Sequence, residues 1–119
     1  MKFFSIFIGL LVFVCAGCQP KEVRKPRVAA LLKSSANPFF AMMWGGIKKQ
    51  ADESGIAVDR FWPSSESDFQ FQSEFLKTRA FDYDAIILAP SDPDGIRAVL
   101  PRLRKAGKKI VVVEEGIPL

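Results

Sequence analysis

The chain has 119 residues, enough for one domain of common size, and its formal net charge is +4. It contains no histidine, which excludes a His-based catalytic triad and makes a typical zinc site hard to build. The basic residues lie among 13 acidic ones and are dense only at 102–105 and 108–109. Such a pattern is more typical of solvated helix faces and helix ends than of a nucleic-acid surface. We therefore expect no metal, no cofactor and no nucleic-acid partner.

The first eighteen residues have the pattern of an export signal. A basic start is followed by a mostly apolar run, residues 3–14, shorter than the roughly 20 residues of an ordinary membrane span. Small residues then precede Cys18, as at a secretory cleavage site, and this arrangement resembles the bacterial lipobox, with Cys15 where leucine is usual. We predict a signal peptide at 1–17, lipid on Cys18, and a polar tether through residue 26. An ordinary cleaved signal and an uncleaved anchor are the alternatives.

The rest of the chain alternates between apolar strands and amphipathic helices. The predicted strands are 27–32, 56–62, 85–89 and 110–113, and the predicted helices are 39–54, one that ends near 80, and 93–106. Apolar strands that alternate with helices are typical of a parallel sheet covered on both faces. We predict a doubly wound α/β domain over 27–119 with strand order 2-1-3-4. Pro101 should kink the third helix. Gly45 and Gly46 are costly inside a helix, which predicts a close approach by a strand or ligand there.

The loop after the first strand is the main candidate for a binding site, because ligands of open α/β sheets bind at the carboxyl ends of the strands. Asn37 can cap the following helix and Pro38 can occupy its first turn. Phe39 and Phe40 would offer flat apolar faces to a sugar ring, while Asn37 and the neighbouring serines would bind its hydroxyl groups. The alternative is that Asn37 only caps the helix and both rings enter the core.

Two further loops leave strands at the same edge of the predicted sheet. Asp92 follows the third strand, where it can cap the next helix and lie beside the Asn37 loop. Glu114 and Glu115 follow the fourth strand and disfavour an anionic ligand. Because successive strand residues point to opposite faces, we expect at most one of these two glutamates to face a ligand. This argues against their use as a general acid and base.

Several of these stretches resemble ribose-type periplasmic solute-binding proteins of ABC importers. The similar positions are 36–40, 46, 51–55, 82–92 and 106–113, of which the asparagine-proline-double-phenylalanine element is the most specific. The resemblance implies a non-enzymatic protein at the extracytoplasmic side of the cell envelope, with a sugar-like ligand and an ABC permease as partners. It implies ligand contacts by Asn37, Phe39, Phe40, Asp92 and Glu114. Glu115 departs from the family, in which an arginine is common at this position.

Length also bears on this interpretation, because the resembled proteins close two lobes around their ligand. The sequence matches only part of the first lobe, so we expect a truncated or split form with an incomplete N-terminal lobe. A stand-alone lipoprotein domain for interaction or sensing is the main alternative. A flavodoxin-like receiver is disfavoured because Leu32-Lys33 lacks the acidic cluster it needs. Related sugar-responsive repressors begin with a DNA-binding helix-turn-helix, which the apolar first segment does not resemble.

Overall fold

The computed structural model describes residues 22–117, which form a four-stranded parallel sheet with helices on both faces. The elements in chain order are β1 (Arg27–Leu31), α1 (Pro38–Ser54), β2 (Ala57–Phe61), α2 (Phe69–Lys77), a 3-10 turn (Arg79–Asp82), β3 (Ala85–Leu88), α3 (Pro93–Arg97), α4 (Leu100–Lys105) and β4 (Lys109–Val112). The strand order is β2-β1-β3-β4. The predicted fold class and strand order are confirmed. The predicted signal peptide and Cys18 lie outside the described residues.

The strands bury alternate side chains on two different faces of the sheet. One face packs against α2, α3 and α4 and forms the larger core; its fully buried members include Leu31, Leu76, Ile86, Leu88 and Leu103. The other face packs against α1 through a smaller cluster around Leu32, Phe40 and Ala89. Because all four strands are parallel, their carboxyl ends lie at the same edge of the sheet, which we call the carboxyl edge. The opposite edge is the amino edge.

Helix α1 begins and ends as its sequence predicts. The Asn37 side chain accepts a hydrogen bond from the Phe39 backbone N–H at 3.0 Å, and Pro38 lies in the first turn. Gly55 ends the helix with φ of 67°, a left-handed conformation that favours glycine. The close approach by a strand predicted at Gly45 and Gly46 is wrong, because a Cβ added at either would meet no described protein atom within 4 Å.

The third predicted helix is divided into α3 and α4. Pro101 has no backbone N–H for a bond to the preceding turn, so it is accommodated in the first turn of α4. The predicted effect of Pro101 is therefore confirmed, in the form of a break. The second helix, α2, is capped by Asp68, whose side chain accepts a hydrogen bond from the Phe71 N–H.

Ion pairs at the amino edge fasten the start of β1 to its neighbours. Both terminal guanidinium nitrogens of Arg24 donate to Asp84, at 2.9 and 2.7 Å, and the Arg27 backbone N–H donates to the same carboxylate at 2.8 Å. These bonds lower the pKa of Asp84 to about 2. Asp59 accepts from the Tyr83 hydroxyl and from Arg27, and both bonds lower the pKa of Asp59. The end of the predicted tether, near Arg24, is thus fixed to the domain.

Candidate functional site

A lysine and two glutamates meet at the carboxyl edge. Lys33 follows β1, and its Nζ lies 2.7 Å from a Glu114 carboxylate oxygen and 3.2 Å from one of Glu115. The Lys33 side chain is only 12% exposed. Burial alone would lower the pKa of Lys33, but its bonds to the two carboxylates outweigh that cost and raise the pKa. The cluster therefore carries one positive and two negative charges in a partly dehydrated position.

Glu114 and Glu115 do not diverge as strand residues would. β4 ends at Val112, so the alternation rule does not reach them, and the bend directs both carboxylates to Lys33. The expectation that at most one of them faces the site is therefore wrong, because it assumed that both glutamates belong to the strand. Glu114 has φ of 71°, a left-handed conformation that is uncommon for a residue other than glycine. Such local strain concentrates at functional sites.

The loop after β1 is also fastened to the loop after β2. Asn37 uses both ends of its amide, because its Nδ2 donates to Glu66 at 2.7 Å while its Oδ1 caps α1. Ser34 is buried, donates to the Ser64 carbonyl at 3.3 Å and accepts from the Ala36 N–H at 2.9 Å. These bonds hold the Asn37 amide in one orientation at the carboxyl edge.

The two phenylalanine rings have different environments. Phe40 is 2% exposed and belongs to the core cluster under α1, whereas Phe39 is 46% exposed. Their ring centroids are 5.2 Å apart in an edge-to-face arrangement. Burial in the core, the alternative considered for both rings, therefore holds for Phe40 only. Phe39 is the ring that offers an accessible apolar face.

Asp92 is occupied as a helix cap. Its Oδ1 accepts from the Gly95 N–H at 3.0 Å, and a Cβ at Gly95 would clash with the other carboxylate oxygen of Asp92. Asp92 also lines a groove with Phe69 and Ser73 of α2. Among the described residues, no hydrogen bond or ion pair joins Asp92 to Asn37 or to Glu114. The structure thus brings Glu114 to Lys33 and Asn37 to Glu66, and leaves Asp92 apart from both pairs.

Gln72 of α2 is a buried polar residue that holds two of the site loops together. Its Nε2 donates to the Ala89 carbonyl at 2.8 Å and to the Leu32 carbonyl at 3.3 Å. Its Oε1 accepts from the Ser91 N–H at 2.8 Å. A single side chain therefore joins the ends of β1 and β3, where the loops of the carboxyl edge begin.

In residues 22–117, no three or more acidic, cysteine or histidine side chains are grouped so as to hold a metal ion. No helix in that range has the length and apolar character needed to cross a membrane.

Comparison with known proteins places this fold in a family. The sequence pattern of the periplasmic binding protein domain matches residues 28–118. The chain belongs to the periplasmic binding protein domain family. The predicted resemblance to solute-binding proteins is confirmed, and membership of this family implies an extracytoplasmic location.

Individual relatives agree with this membership. The D-allose-binding periplasmic protein of Escherichia coli (strain K12) is 30% identical over 121 residues, which cover 100% of this chain and 37% of that protein. An ABC-transporter solute-binding protein from Burkholderia multivorans has a TM-score of 0.74 and 28% identity, over 80% of this chain and 35% of its own. One from Actinobacillus succinogenes 130z, with bound D-allose, has a TM-score of 0.74 and 24% identity, over 80% and 34%. This chain thus spans little more than a third of these proteins.

Within this periplasmic binding protein domain, Lys33, Glu66 and Gln72 were not predicted as site residues. Lys33 follows a buried strand at the ligand-binding edge, so its position was a usable signal. Its pairing with Glu114 depends on β1 and β4 meeting β3 from either side. Gln72 precedes the buried Phe75 and Leu76 by three and four positions, which places it on the inner face of α2, whereas the exposed Gln70 lacks that spacing. This spacing was the signal that could have found Gln72.

Proposed function

We propose that this chain supplies the N-terminal part of the sugar-binding site of an ABC-importer solute-binding protein. The observation that carries the proposal is the cluster of Lys33, Glu114 and Glu115 at the carboxyl edge. Asn37 and the exposed Phe39 lie at the same edge, at the start of α1. The allose-bound relative supports a sugar as the ligand class.

The chemistry of these groups suits a polyol. Carboxylates accept hydrogen bonds from hydroxyl groups, and the Lys33 ammonium donates them. Because the cluster has a net charge of −1, it should repel anionic ligands and accept neutral or cationic ones. The exposed ring of Phe39 would pack against the C–H face of a sugar. We propose ligand contacts by Asn37, Phe39, Glu114 and Lys33. Phe40 and Asp92 would shape the site without contacting the ligand, Phe40 by packing in the core and Asp92 by capping α3.

The proposal includes attachment to the membrane. The apolar segment 3–14 and the small residues before Cys18 support a signal peptide at 1–17, lipidation of Cys18, and a tether over 18–26 that leads into a partial lobe at 27–119. Two or more acyl chains would hold the protein stably at the extracytoplasmic surface. An ABC permease would then be the partner, as the family implies. Mass spectrometry of the purified protein tests this part, since lipid on Cys18 changes the mass of the first mature peptide.

A stand-alone interaction domain is the second candidate. The observation that favours it is an apolar groove of about 360 Å³ between α1 and the sheet, lined by Val28, Ile47, Val58 and Ile87 among others. Exposed apolar surface of this kind is typical of contact sites between proteins. This candidate predicts that sugars leave the carboxyl edge unaffected.

A sugar titration of the full chain, followed through backbone amide chemical shifts, distinguishes the two candidates. With D-allose or D-ribose we expect shifts concentrated at Lys33, Asn37 and Glu114. Phe39→Ala should weaken binding, because its exposed ring is removed without loss of core packing. Met42→Ala is the matched control, since Met42 is 72% exposed in the same helix. Unchanged spectra with both sugars, or equal affinity in wild type and Phe39→Ala, would contradict the proposed site.

A further inference from the structure

The two edges of the sheet carry opposite charge. The segments that precede the strands, residues 22–27, 53–56, 77–84 and 102–109, lie at the amino edge because all four strands are parallel. They contain ten basic and four acidic side chains. The segments that follow the strands, residues 32–37, 62–68, 89–94 and 113–117, contain one basic and six acidic side chains. The domain is therefore polarised along the strand direction, with its positive end opposite the proposed ligand site.

Ion pairing does not cancel the positive charge of the amino edge. Asp84 is bonded to Arg24 and is also attracted by Lys108, but one carboxylate does not offset the excess of basic side chains at this edge. Lys105 and Lys109 are exposed, and Lys108 and Lys109 line an open groove of about 560 Å³ with the Arg24–Asp84 pair. This groove presents a shallow basic surface that phosphate groups could enter from solvent.

The predicted tether enters the domain at this same edge. Arg24 is fixed to Asp84, and it lies six positions after Cys18 in the chain. Six extended residues span at most about 20 Å. Lipid on Cys18 would therefore hold the amino edge within about 20 Å of the bilayer by chain length alone. The surface charge of a membrane acts over about 8 Å at physiological salt, so short excursions bring the lysines into its range.

We propose that the amino edge docks on the surface of a membrane rich in anionic phospholipid, with the carboxyl edge facing away from the bilayer. The geometry of this docking rests on the lipid attachment proposed for Cys18. Basic side chains near an anionic surface are attracted, whereas the acidic carboxyl edge is repelled by it. Each lysine at the surface should favour this orientation roughly fivefold. The bound orientation keeps the ligand site open to the surrounding solution.

Energy transfer to a lipid-linked acceptor measures this orientation in the lipidated full chain on vesicles. The donor is placed by Ala106→Cys at the amino edge or by Ser35→Cys at the carboxyl edge, since both residues are exposed. On phosphatidylcholine with added phosphatidylglycerol, we expect stronger transfer from position 106 than from position 35. High salt or phosphatidylcholine alone should reduce that difference. Equal transfer from the two positions, or a difference of the same size without phosphatidylglycerol, would overturn the proposal.

Charge variants test whether the lysines cause the orientation. Lys105→Glu with Lys109→Glu should reduce the difference in transfer to its value on phosphatidylcholine alone, while Lys48→Glu with Lys49→Glu changes the net charge equally on α1 and should retain the full difference. Circular dichroism checks that both pairs remain folded. If both pairs behave alike, overall charge and not the amino edge sets the orientation, and the proposal fails. Labelling of the protein without an added cysteine is a separate readout, because a reactive Cys18 would contradict lipidation and not the basic surface.

Discussion

The two faces of the sheet are closed to very different degrees. On one face, α2, α3 and α4 cover the strands, and Leu31, Ile86 and Leu88 are fully buried. On the other, within residues 22–117, α1 alone covers the strands, and Val111 of β4 is 54% exposed. Both faces are apolar, as expected for a parallel sheet, and parallel sheets normally have both faces covered. An apolar strand sequence therefore predicts that a face is suited to burial, without showing how much of it is buried.

The closed face should dominate the stability of the domain. Leu76 is fully buried between α2 and the sheet, so Leu76→Ala removes packed methyl groups and leaves a cavity. We expect the free energy of unfolding to fall by about 2–5 kcal/mol. Val111→Ala on the open face should change it by no more than about 0.5 kcal/mol, as at other surface positions. Urea denaturation measures both, and similar losses for the two variants would show that the faces do not differ as described.

Gln72 tests whether the closed face also holds the site loops. Gln72→Leu keeps a buried side chain of similar size but leaves the Ser91 N–H and the Ala89 carbonyl without their partner. We expect a loss of about 1–3 kcal/mol, the usual cost of unpaired buried polar groups. Faster amide hydrogen exchange at Ser91 should accompany it.

Gln50→Leu is the matched control for Gln72, because Gln50 is exposed on α1 beside the apolar groove. Its removal leaves no buried group unpaired, so stability should change by no more than about 0.5 kcal/mol. An equal loss in both glutamine variants would contradict the role given to Gln72.

Replacement of valine by threonine compares the two faces more directly than replacement by alanine, because it adds a hydroxyl group at nearly constant volume. Val111→Thr should be tolerated within about 0.5 kcal/mol, since the new hydroxyl remains in water. The same change at Val99, which is 5% exposed in the larger core, should cost about 1–3 kcal/mol. Thermal denaturation of the two threonine variants makes this comparison. A large loss at Val111 would mean that its face is covered by another surface in solution.

The strand order could be predicted because alternating strands and helices are typical of a doubly wound sheet, and the ends of α1 because they depend on strong local caps. Asn37, Pro38 and Gly55 each act within one turn of α1, so no tertiary information was needed to predict them. The close strand approach predicted at Gly45 and Gly46 was wrong, because a glycine permits close contact but does not require it.

The candidate site was less predictable, because its bonds join residues far apart in the chain. Lys33 and Glu114 are neighbours only after three strands have aligned side by side. The different fates of Phe39 and Phe40 depend on the rotation of α1 against the sheet, which adjacent identical residues cannot reveal. Because Phe40 is buried in the core, Phe40→Ala should lower stability as well as binding. Phe39→Ala is the clearer test of a ligand contact.

The smallest expected effect concerns the amino edge, where Asp84 joins the tether to the end of the sheet. Its bonds to Arg24 and Arg27 lower its pKa from 3.8 to about 2. A carboxylate with a lowered folded-state pKa stabilises the fold above its unfolded pKa, and this contribution is lost as the pH falls through the folded value. Wild-type stability should thus decline between about pH 4 and pH 2 partly through this group. Asp84→Asn should flatten that part of the urea-midpoint profile, and Arg24→Gln should do so to a lesser extent, because the Arg27 N–H still donates to Asp84. An unchanged profile in Asp84→Asn would show that this ion pair does not couple the tether to folding.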